Sequence, residues 1–155
     1  MIVKLQNADL AIAAKIRSVF QVSYAVEAEI LKAVDFPPLK RNLESFLTSS
    51  NTFYGYLTNE ELVAVAEIDD TNKAIHIQSL VVDPAFFRQG IASKLVEFVL
   101  NSYDSKLFTV ETGLENKPAI TLYKKFNFKE VKQWDTDHGV RKIRFERKIL
   151  KKSHS

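Results

Sequence analysis

The sequence predicts an α+β fold in which helices flank a central mixed, mostly antiparallel sheet. Strand-like and helix-like stretches follow one another in the order β-α-α-β-β-β-α-β-α-β-β. Hydrophobic residues make up 46% of the 155 residues, which is enough to form a core. We find no internal repeat, low-complexity segment or domain linker. These observations indicate a single mixed α/β domain over residues 1–150, followed by a short basic tail at 151–155.

The first third of the chain predicts one strand and two helices. Ile2–Leu5 has the composition of a short strand, and Asp9 offers a side-chain cap for the helix that follows. Apolar residues at helical spacing extend this helix to Val34. The Pro37-Pro38 pair cannot continue it, because proline has no backbone N–H to donate. A second helix is predicted at Leu39–Leu47.

Three strand-like runs occupy the middle of the chain. Only three residues separate the first run from the second, a spacing that is typical of a hairpin. The third run lacks a clean alternation of apolar and polar residues, as expected for a strand that is covered on both faces. The runs are Thr52–Leu57, Glu61–Ile68 and Ala74–Val82.

The last part of the chain predicts two more helices and three more strands. Asn116 and Pro118 mark the start of the second helix, and two strands typical of an antiparallel pair close the domain. The predicted elements are a helix at Ile91–Asn101, a strand at Leu107–Glu111, a helix from Asn116 to Phe126, and strands at Phe128–Trp134 and Val140–Leu150.

The composition excludes several kinds of site. The chain has no cysteine, which excludes disulfides, thiolate metal sites and a cysteine nucleophile. The three histidines lack the spacing of metal ligands, so we expect no metal. No apolar run approaches the ~20 residues of a membrane helix, and the N-terminal segment lacks the cleavage site of a signal peptide. We therefore expect a cytoplasmic protein that binds no membrane.

The charge of the chain is mildly basic, with a net charge of +3 and a sequence pI near 9.0. Lysines and arginines are dispersed rather than clustered, which favours an anionic small ligand over nucleic acid. A basic nucleic-acid-binding module is the alternative, and electrophoretic mobility at low and moderate salt would test it.

A buried strand, a turn and an amphipathic helix meet in the segment Ser79–Leu100. Gly90, one of only four glycines, stands where the helix begins. The first helical turn leaves backbone N–H groups unpaired, and the helix dipole adds partial positive charge there. A loop without bulky side chains at this point suits a diphosphate. An ordinary connection between a strand and a helix explains the segment equally well.

Two motifs in this half of the chain carry a resemblance to a known family. They are Phe87-Arg88-Gln89-Gly90-Ile91-Ala92 and the segment Glu115–Phe128, which includes Asn116, Ala119, Leu122 and Tyr123. Together they resemble the GNAT superfamily of acyl-CoA-dependent N-acyltransferases, and the likeness covers nearly the whole chain. Phe87 departs from the family pattern, which has Arg or Gln at that position. Asn127 replaces a glycine, and asparagine tolerates the left-handed conformation that such a helix end requires.

The resemblance implies an N-acetyltransferase that uses acetyl-CoA as co-substrate and acetylates a primary amine of a small molecule or a protein by direct attack. It implies that the backbone of Leu80, Val81 and Val82 binds the pantetheine arm and polarises the acyl carbonyl. Tyr123 matches the general acid that protonates the departing thiolate. The other residues implied in cofactor binding are Arg88, Gln89, Gly90, Ile91, Ala92, Ser93 and Asn116.

Simpler roles compete with several of these assignments. The alternative for Tyr123 is core packing, that for Ser93 and Asn116 is helix capping, and that for Arg88 is a solvated surface charge. The general base is undecided among a water relay, deprotonation in solution and three side chains on the predicted strands, which are Glu67, His76 and Glu111.

The acceptor is expected beside the N-terminal helices, which are the variable region of the family. Carboxylates beside aromatic rings would suit a cationic amine, although a solvated helix face followed by a proline-rich turn is the alternative. A rival for the whole protein is an acyl-CoA-binding sensor or pseudoenzyme of the same fold. The oligomeric state is open, with a homodimer among the options. The suggestive acceptor residues are Tyr24, Glu27, Glu29 and Phe36-Pro37-Pro38.

Overall fold

A computed structural model describes residues 1–149, which contain seven strands and four α-helices in the predicted order. The strands are β1 (Ile2–Leu5), β2 (Thr52–Thr58), β3 (Glu61–Asp69), β4 (Ile75–Val82), β5 (Leu107–Gly113), β6 (Lys129–Asp135) and β7 (Arg141–Lys148). The helices are α1 (Leu10–Leu31), α2 (Leu43–Thr48), α3 (Ile91–Ser102) and α4 (Lys117–Lys125). Short 3₁₀ turns lie at Pro37–Lys40 and Pro84–Phe86.

The strands form one sheet in the order β1-β2-β3-β4-β5-β7-β6. Every neighbouring pair is antiparallel except β4 and β5, which run parallel. The predicted mixed, mostly antiparallel sheet is therefore confirmed. The parallel pairing covers only Ile75–Ile77 against Phe108–Val110, and the two strands separate beyond it.

Helices cover both faces of the sheet. On one face, Phe20 of α1 and Phe46 of α2 belong to a buried cluster that reaches Val65 of β3 and Val81 of β4. On the opposite face, α3 and α4 pack in a second and larger cluster over the centre of the sheet. Removing these apolar side chains from water is the main force that holds the layers together. Among residues 1–149, no helix is both long enough and apolar enough to cross a membrane.

The first helix ends at Leu31 rather than at the predicted Val34. Lys32 adopts the left-handed conformation with φ 53°, and its N–H bonds back to carbonyls of the last turn. The Ala33 N–H likewise reaches the Ala28 carbonyl at 2.9 Å. These bonds pair the carbonyls that the end of the helix leaves free, so the helix stops before the prolines are reached.

The second helix begins at Leu43 rather than at the predicted Leu39. The residues before it form the 3₁₀ turn, where the fixed φ of proline is compatible with the first positions. Asn42 then caps α2, since its side-chain oxygen accepts from the Ser45 N–H at 2.9 Å. The other predicted boundaries agree within two residues, except that residues 150–155, including the predicted strand end Leu150 and the basic tail, lie outside the described residues.

A buried ion pair ties the segment before α2 to the sheet. The Arg41 guanidinium donates to both carboxylate oxygens of Glu67, at 2.7 and 3.0 Å, and lies 4.0 Å from the centre of the Phe46 ring. Glu67 is only 1% exposed, and it also accepts from Asn51 and Ser79. Four hydrogen bonds satisfy its two oxygens, so this candidate for the general base is a satisfied core residue.

We expect Arg41→Met to lower the free energy of unfolding by about 3–5 kcal/mol, because Glu67 would keep a buried charge without its cation. Lys40→Met is the matched control. Lys40 and its partner Asp35 are 62% and 76% exposed, and such surface pairs contribute about 0–1 kcal/mol. Urea denaturation followed by circular dichroism measures both variants. Equal stability of the two would contradict this role of the buried pair.

Candidate active site

The separation of β4 from β5 opens a cleft that contains two cavities. The larger cavity, of about 590 Å³, lies between β4, the loop before α3 and the side of α4. The smaller cavity, of about 340 Å³, lies between α1, the segment before α2 and the β6–β7 hairpin. Six residues line both cavities and form what we call the junction: Tyr24, Glu27, Gln78, Ser79, Glu111 and Thr112.

Most of the residues that the resemblance implies in cofactor binding line the larger cavity. Two of them do not. Val81 is buried towards α1 and pairs with Val65, whereas Gln89 is exposed to solvent. The residues that line the cavity are Leu80, Val82, Arg88, Gly90, Ile91, Ala92, Ser93, Asn116 and the predicted acid Tyr123.

The register of β4 determines which of its backbone groups face the cleft. The Asp83 N–H, directly after β4, donates to the Val63 carbonyl of β3 at 2.8 Å. Because alternate residues of a strand direct their backbone groups to opposite sides, those of Leu80 and Val82 point away from β3. The Val82 N–H reaches the Ser23 hydroxyl at 3.3 Å. The Leu80 N–H is therefore the donor of β4 that best faces the gap.

The loop before α3 presents its backbone to the larger cavity. Gly90 is the N-terminal cap of α3, adopts the left-handed conformation with φ 73° and provides no capping side chain. Within residues 1–149, no hydrogen bond engages the N–H groups of Ile91, Ala92 and Ser93. A Cβ at Gly90 would meet no protein atom within 4 Å. This helix end therefore has the unpaired donors and the open space that the predicted diphosphate site requires.

A lysine that sequence reasoning missed supplements this helix end. Lys125, at the end of α4, donates to the Ser93 hydroxyl at 3.2 Å. Ser93 is therefore not the helix cap, since Gly90 holds that position. The contact brings a positive charge beside the unpaired amides. No local pattern connects positions 93 and 125, because they meet only through the packing of α3 beside α4.

Tyr123 lies in the core with its ring 4% exposed, and it packs edge-on against Phe128. The core-packing alternative is thus true of the ring. The hydroxyl, however, has no hydrogen-bond partner among the described residues, and the residue lines the larger cavity. Burial raises the pKa of Tyr123, and the nearby Tyr24 and Glu27 raise it further. The phenol therefore holds its proton and can donate it into the cavity.

The smaller cavity is lined by most of the residues expected to bind the acceptor. Tyr24 and Glu27 reach it from α1, and Phe36, Pro37 and Pro38 form its wall. Glu29 was expected there as well, but it is exposed and lines neither cavity. Two residues along a helix correspond to a rotation of roughly 200°, which turns Glu29 away from the cleft that Glu27 faces.

Asn116 both caps a helix and bridges two elements of the cleft. Its side-chain oxygen accepts from the Ala119 N–H at 3.3 Å, as the capping role predicts. Its amide nitrogen donates to Glu27 Oε1 at 2.9 Å and to the Thr112 hydroxyl at 3.4 Å. The donors of Asn116 are thus engaged within the protein, which leaves its oxygen as the group with free capacity for a ligand.

The remaining candidates for the general base differ in their access to the cleft. The His76 ring bonds the Thr109 hydroxyl at 2.6 Å and lines neither cavity, and burial lowers its pKa. Glu111 lies at the junction, where its two oxygens face Arg144 at 2.9 Å and Lys142 at 3.8 Å. Of the three side chains proposed from the sequence, only Glu111 reaches both cavities.

Part of the smaller cavity comes from residues that sequence reasoning missed. The β6–β7 hairpin reaches back towards α1, and the ring of His138 lies 6.1 Å from that of Phe36. No local sequence pattern marks the hairpin residues as functional, because they reach the cleft only through the insertion of β7 between β5 and β6. The missed lining residues are Phe20, Leu31, Arg41, Gly113, His138, Val140 and Lys142.

Known proteins resemble the chain in sequence and in fold. The chain is 32% identical over 141 residues to the UPF0157 protein YqkA of Bacillus subtilis, and the match covers 90% of the chain but only 41% of that protein. The fold resembles the ribosomal-protein-S18-alanine N-acetyltransferase of Escherichia coli, with a TM-score of 0.77, 19% identity and coverage of 99% and 96% of the two chains. It also resembles the PaiA N-acetyltransferase of Thermoplasma acidophilum in complex with coenzyme A, with a TM-score of 0.71, 14% identity and coverage of 96% and 99%.

The two solved structures show the fold, whereas a family model matches the sequence itself. The model of the Acetyltransferase (GNAT) family matches residues 16–128, which include the loop before α3, the junction and Tyr123. The resemblance that the two sequence motifs carried is thereby confirmed. The chain belongs to the GNAT family of acetyltransferases.

Proposed function

We propose that this protein transfers the acetyl group of acetyl-CoA to a primary amine of a small molecule or a protein, by direct attack of the amine on the thioester. The observation that carries the proposal is the junction, where the cavity beside the unpaired α3 amides meets a cavity lined by carboxylates and aromatic rings. Both similar structures are named as N-acetyltransferases, and one of them contains coenzyme A. These names support transfer to nitrogen.

The larger cavity has the groups that acetyl-CoA requires. The unpaired amides at the start of α3 and the Lys125 ammonium suit the diphosphate. The Leu80 N–H faces the gap beside β4, where it can polarise the acyl oxygen. Apolar side chains of Leu80, Val82 and Leu122 line the same cavity and exclude water from it. Bound acetyl-CoA supplies the thioester on which these residues act.

Tyr123 is the proton donor in this proposal. A thiolate leaves when the carbon–sulfur bond breaks, and a protonated phenol in the same cavity can neutralise it. The raised pKa of Tyr123 keeps the proton on the phenol until charge develops on the sulfur. Because the hydroxyl has no partner among the described residues, donation breaks no hydrogen bond within that part of the protein.

The smaller cavity is proposed as the acceptor site. Glu27 and Glu111 bring two carboxylates to the junction, and the rings of Tyr24 and Phe36 lie 5.9 Å apart beside them. Carboxylates and aromatic faces attract the ammonium form of an amine. Lys142 lines the same cavity. Its ammonium favours an amine substrate that also carries a hydrogen-bond-accepting oxygen, such as an amino acid or a peptide.

A thiol-release assay tests the proposal directly. Acetyl-CoA is incubated with the protein and a panel of polyamines, aminoglycosides, amino acids and short peptides, and each peptide is paired with its N-terminally acetylated form. We expect acceptor-dependent release for at least one free amine and none for its blocked form. Tight binding of acetyl-CoA without release for any amine would contradict catalysis and favour a sensor.

We expect Gly90→Ala to weaken the binding of acetyl-CoA at least ~10-fold, because the new Cβ takes up open space beside the α3 amides that the diphosphate would occupy, at a cost of about 1.4 kcal/mol or more. Gly139→Ala is the matched control. Gly139 also has a positive φ, of 81°, and open space at its Cβ position, but it lies in the β6–β7 turn. Both variants should lose similar stability, by about 1–2 kcal/mol. Calorimetric titration measures binding, and equal affinities would place the diphosphate elsewhere.

We expect Tyr123→Phe to lower kcat by ~10²–10⁴-fold, which is the usual value of a placed acid, while acetyl-CoA affinity changes little because the ring remains. Tyr103→Phe is the control, since Tyr103 lines neither cavity and the change removes its 2.8 Å bond to the Tyr54 hydroxyl. That variant should lose about 0.5–1.5 kcal/mol of stability and keep its kcat. Steady-state kinetics and melting temperatures distinguish the two roles. A stable Tyr123→Phe protein with unchanged kcat would refute the assignment.

A further inference from the structure

Glu27 is one of the two carboxylates proposed to attract the amine, and the reaction described above gives it no part in proton transfer. It lies on the inner face of α1, one turn after Tyr24, and it lines both cavities. One of its oxygens, Oε1, accepts from the Asn116 amide at 2.9 Å. Among residues 1–149, no hydrogen bond reaches the other oxygen, Oε2. A carboxylate oxygen with free lone pairs is thus available where the amine and the thioester would meet.

The groups around Glu27 come from three other elements of the fold. Thr112 and Glu111 lie on β5, Asn116 and Tyr123 lie before and on α4, and Lys142 lies on β7. Burial is the largest influence on the carboxyl and raises the pKa of Glu27, whereas the Asn116 bond and the Lys142 charge act in the opposite direction. A raised pKa makes a carboxylate a better proton acceptor near neutral pH.

The other carboxylates of the cleft are less suited to this task. Glu67 makes four hydrogen bonds in the core and lines neither cavity. Glu111 does reach the junction, but its two oxygens face the cations Lys142 and Arg144, so both are already engaged within the protein. Glu27 makes no salt bridge among the described residues.

We infer that Glu27 is the catalytic residue that accepts the proton of the attacking amine. The inference rests on the proposed function and adds the residue that the sequence left undecided. An amine that binds as its ammonium form first releases one proton to solvent, which frees the nitrogen lone pair. As that lone pair forms the bond to the acyl carbon, one N–H bond breaks and its proton passes to the Glu27 carboxylate. When the carbon–sulfur bond breaks, the thiolate takes the proton of the Tyr123 hydroxyl. The proton held by Glu27 then restores that hydroxyl, so the products are the amide and the thiol.

Asn116 connects the two ends of this proton path. It lies 89 positions from Glu27 in the chain, and it caps the helix that carries Tyr123. The same side chain thus fixes the Glu27 carboxylate and the start of α4. A displacement of α4 would move the proton acceptor and the proton donor together.

The test is Glu27→Gln, which keeps the size of the side chain and the oxygen that accepts from Asn116. We expect kcat to fall by ~10²–10⁴-fold with little change in acetyl-CoA affinity. In the wild type, kcat/KM should fall as the pH drops through the pKa of Glu27, since protonated Glu27 cannot accept a proton. The pH at which protonation of Glu27 lowers kcat/KM should be the same for two acceptors whose amines have different pKa values. In the Glu27→Gln variant, the pH at which kcat/KM falls should depend only on the pKa of the amine.

Glu29→Gln is the matched control, because Glu29 lies on the same helix but faces solvent. It should keep the wild-type profile, and Glu27→Asp should recover part of the lost rate. A folded Glu27→Gln protein with wild-type kcat and an unchanged pH profile would overturn the inference. If the wild type released no thiol with any amine, the proposed function would fail instead.

A second measurement needs no acceptor. Carbon NMR of protein labelled at the glutamate carboxyl groups follows each titration, and Glu27→Gln identifies the resonance of Glu27 by its loss. We expect that resonance to titrate above the ordinary value of 4.5 for glutamate. Titration at or below the ordinary value would also overturn the inference, because Glu27 would then have no advantage over an exposed carboxylate.

Discussion

The short parallel pairing of β4 with β5 is the constraint on which the rest of the cleft depends. The strands share only three residue pairs and then separate, so backbone groups beyond Ile77 and Val110 must find partners other than each other. The Val82 N–H finds the Ser23 hydroxyl, whereas the Leu80 N–H faces the gap. Both cavities begin where the pairing stops. A sheet that continued without this gap would leave no room for either cavity.

A polar cluster on the α1 side of the sheet fixes the position of β4 beside the gap. The buried Glu67 carboxylate draws together the segment before α2, the start of β2 and the Ser79 hydroxyl of β4. Ser79 lines the junction as well, so one polar cluster connects the core with the cleft. A buried pair of this kind contributes little net stability compared with apolar packing. Its effect is to fix where the wall of the smaller cavity stands relative to β4.

The features that the sequence predicts well are those encoded by neighbouring residues. Asp9 and Asn116 cap the expected helices, Gly90 stands where α3 begins, Asn127 adopts a positive φ, and the element order is correct. The predicted end of α1 was wrong because the left-handed conformation of Lys32 stops the helix although the apolar periodicity continues. The least predictable contacts join distant segments, such as the bond between Asn116 and Glu27, or His138 beside Phe36. Such contacts depend on strand order, which no local pattern contains.

The close approach of β5 to the end of α1 has a consequence for how relatives with this fold diverge. A Cβ at Gly113 would lie only 2.6 Å from Leu31 Cδ2, so any larger residue must displace the last side chain of α1. Both residues line the smaller cavity. Replacing this glycine would therefore reshape the proposed acceptor site at a position outside the α3 loop and distinct from Glu27 and Tyr123. Under the proposed function, the range of acceptors would thus change by substitution at a position to which no catalytic step is assigned.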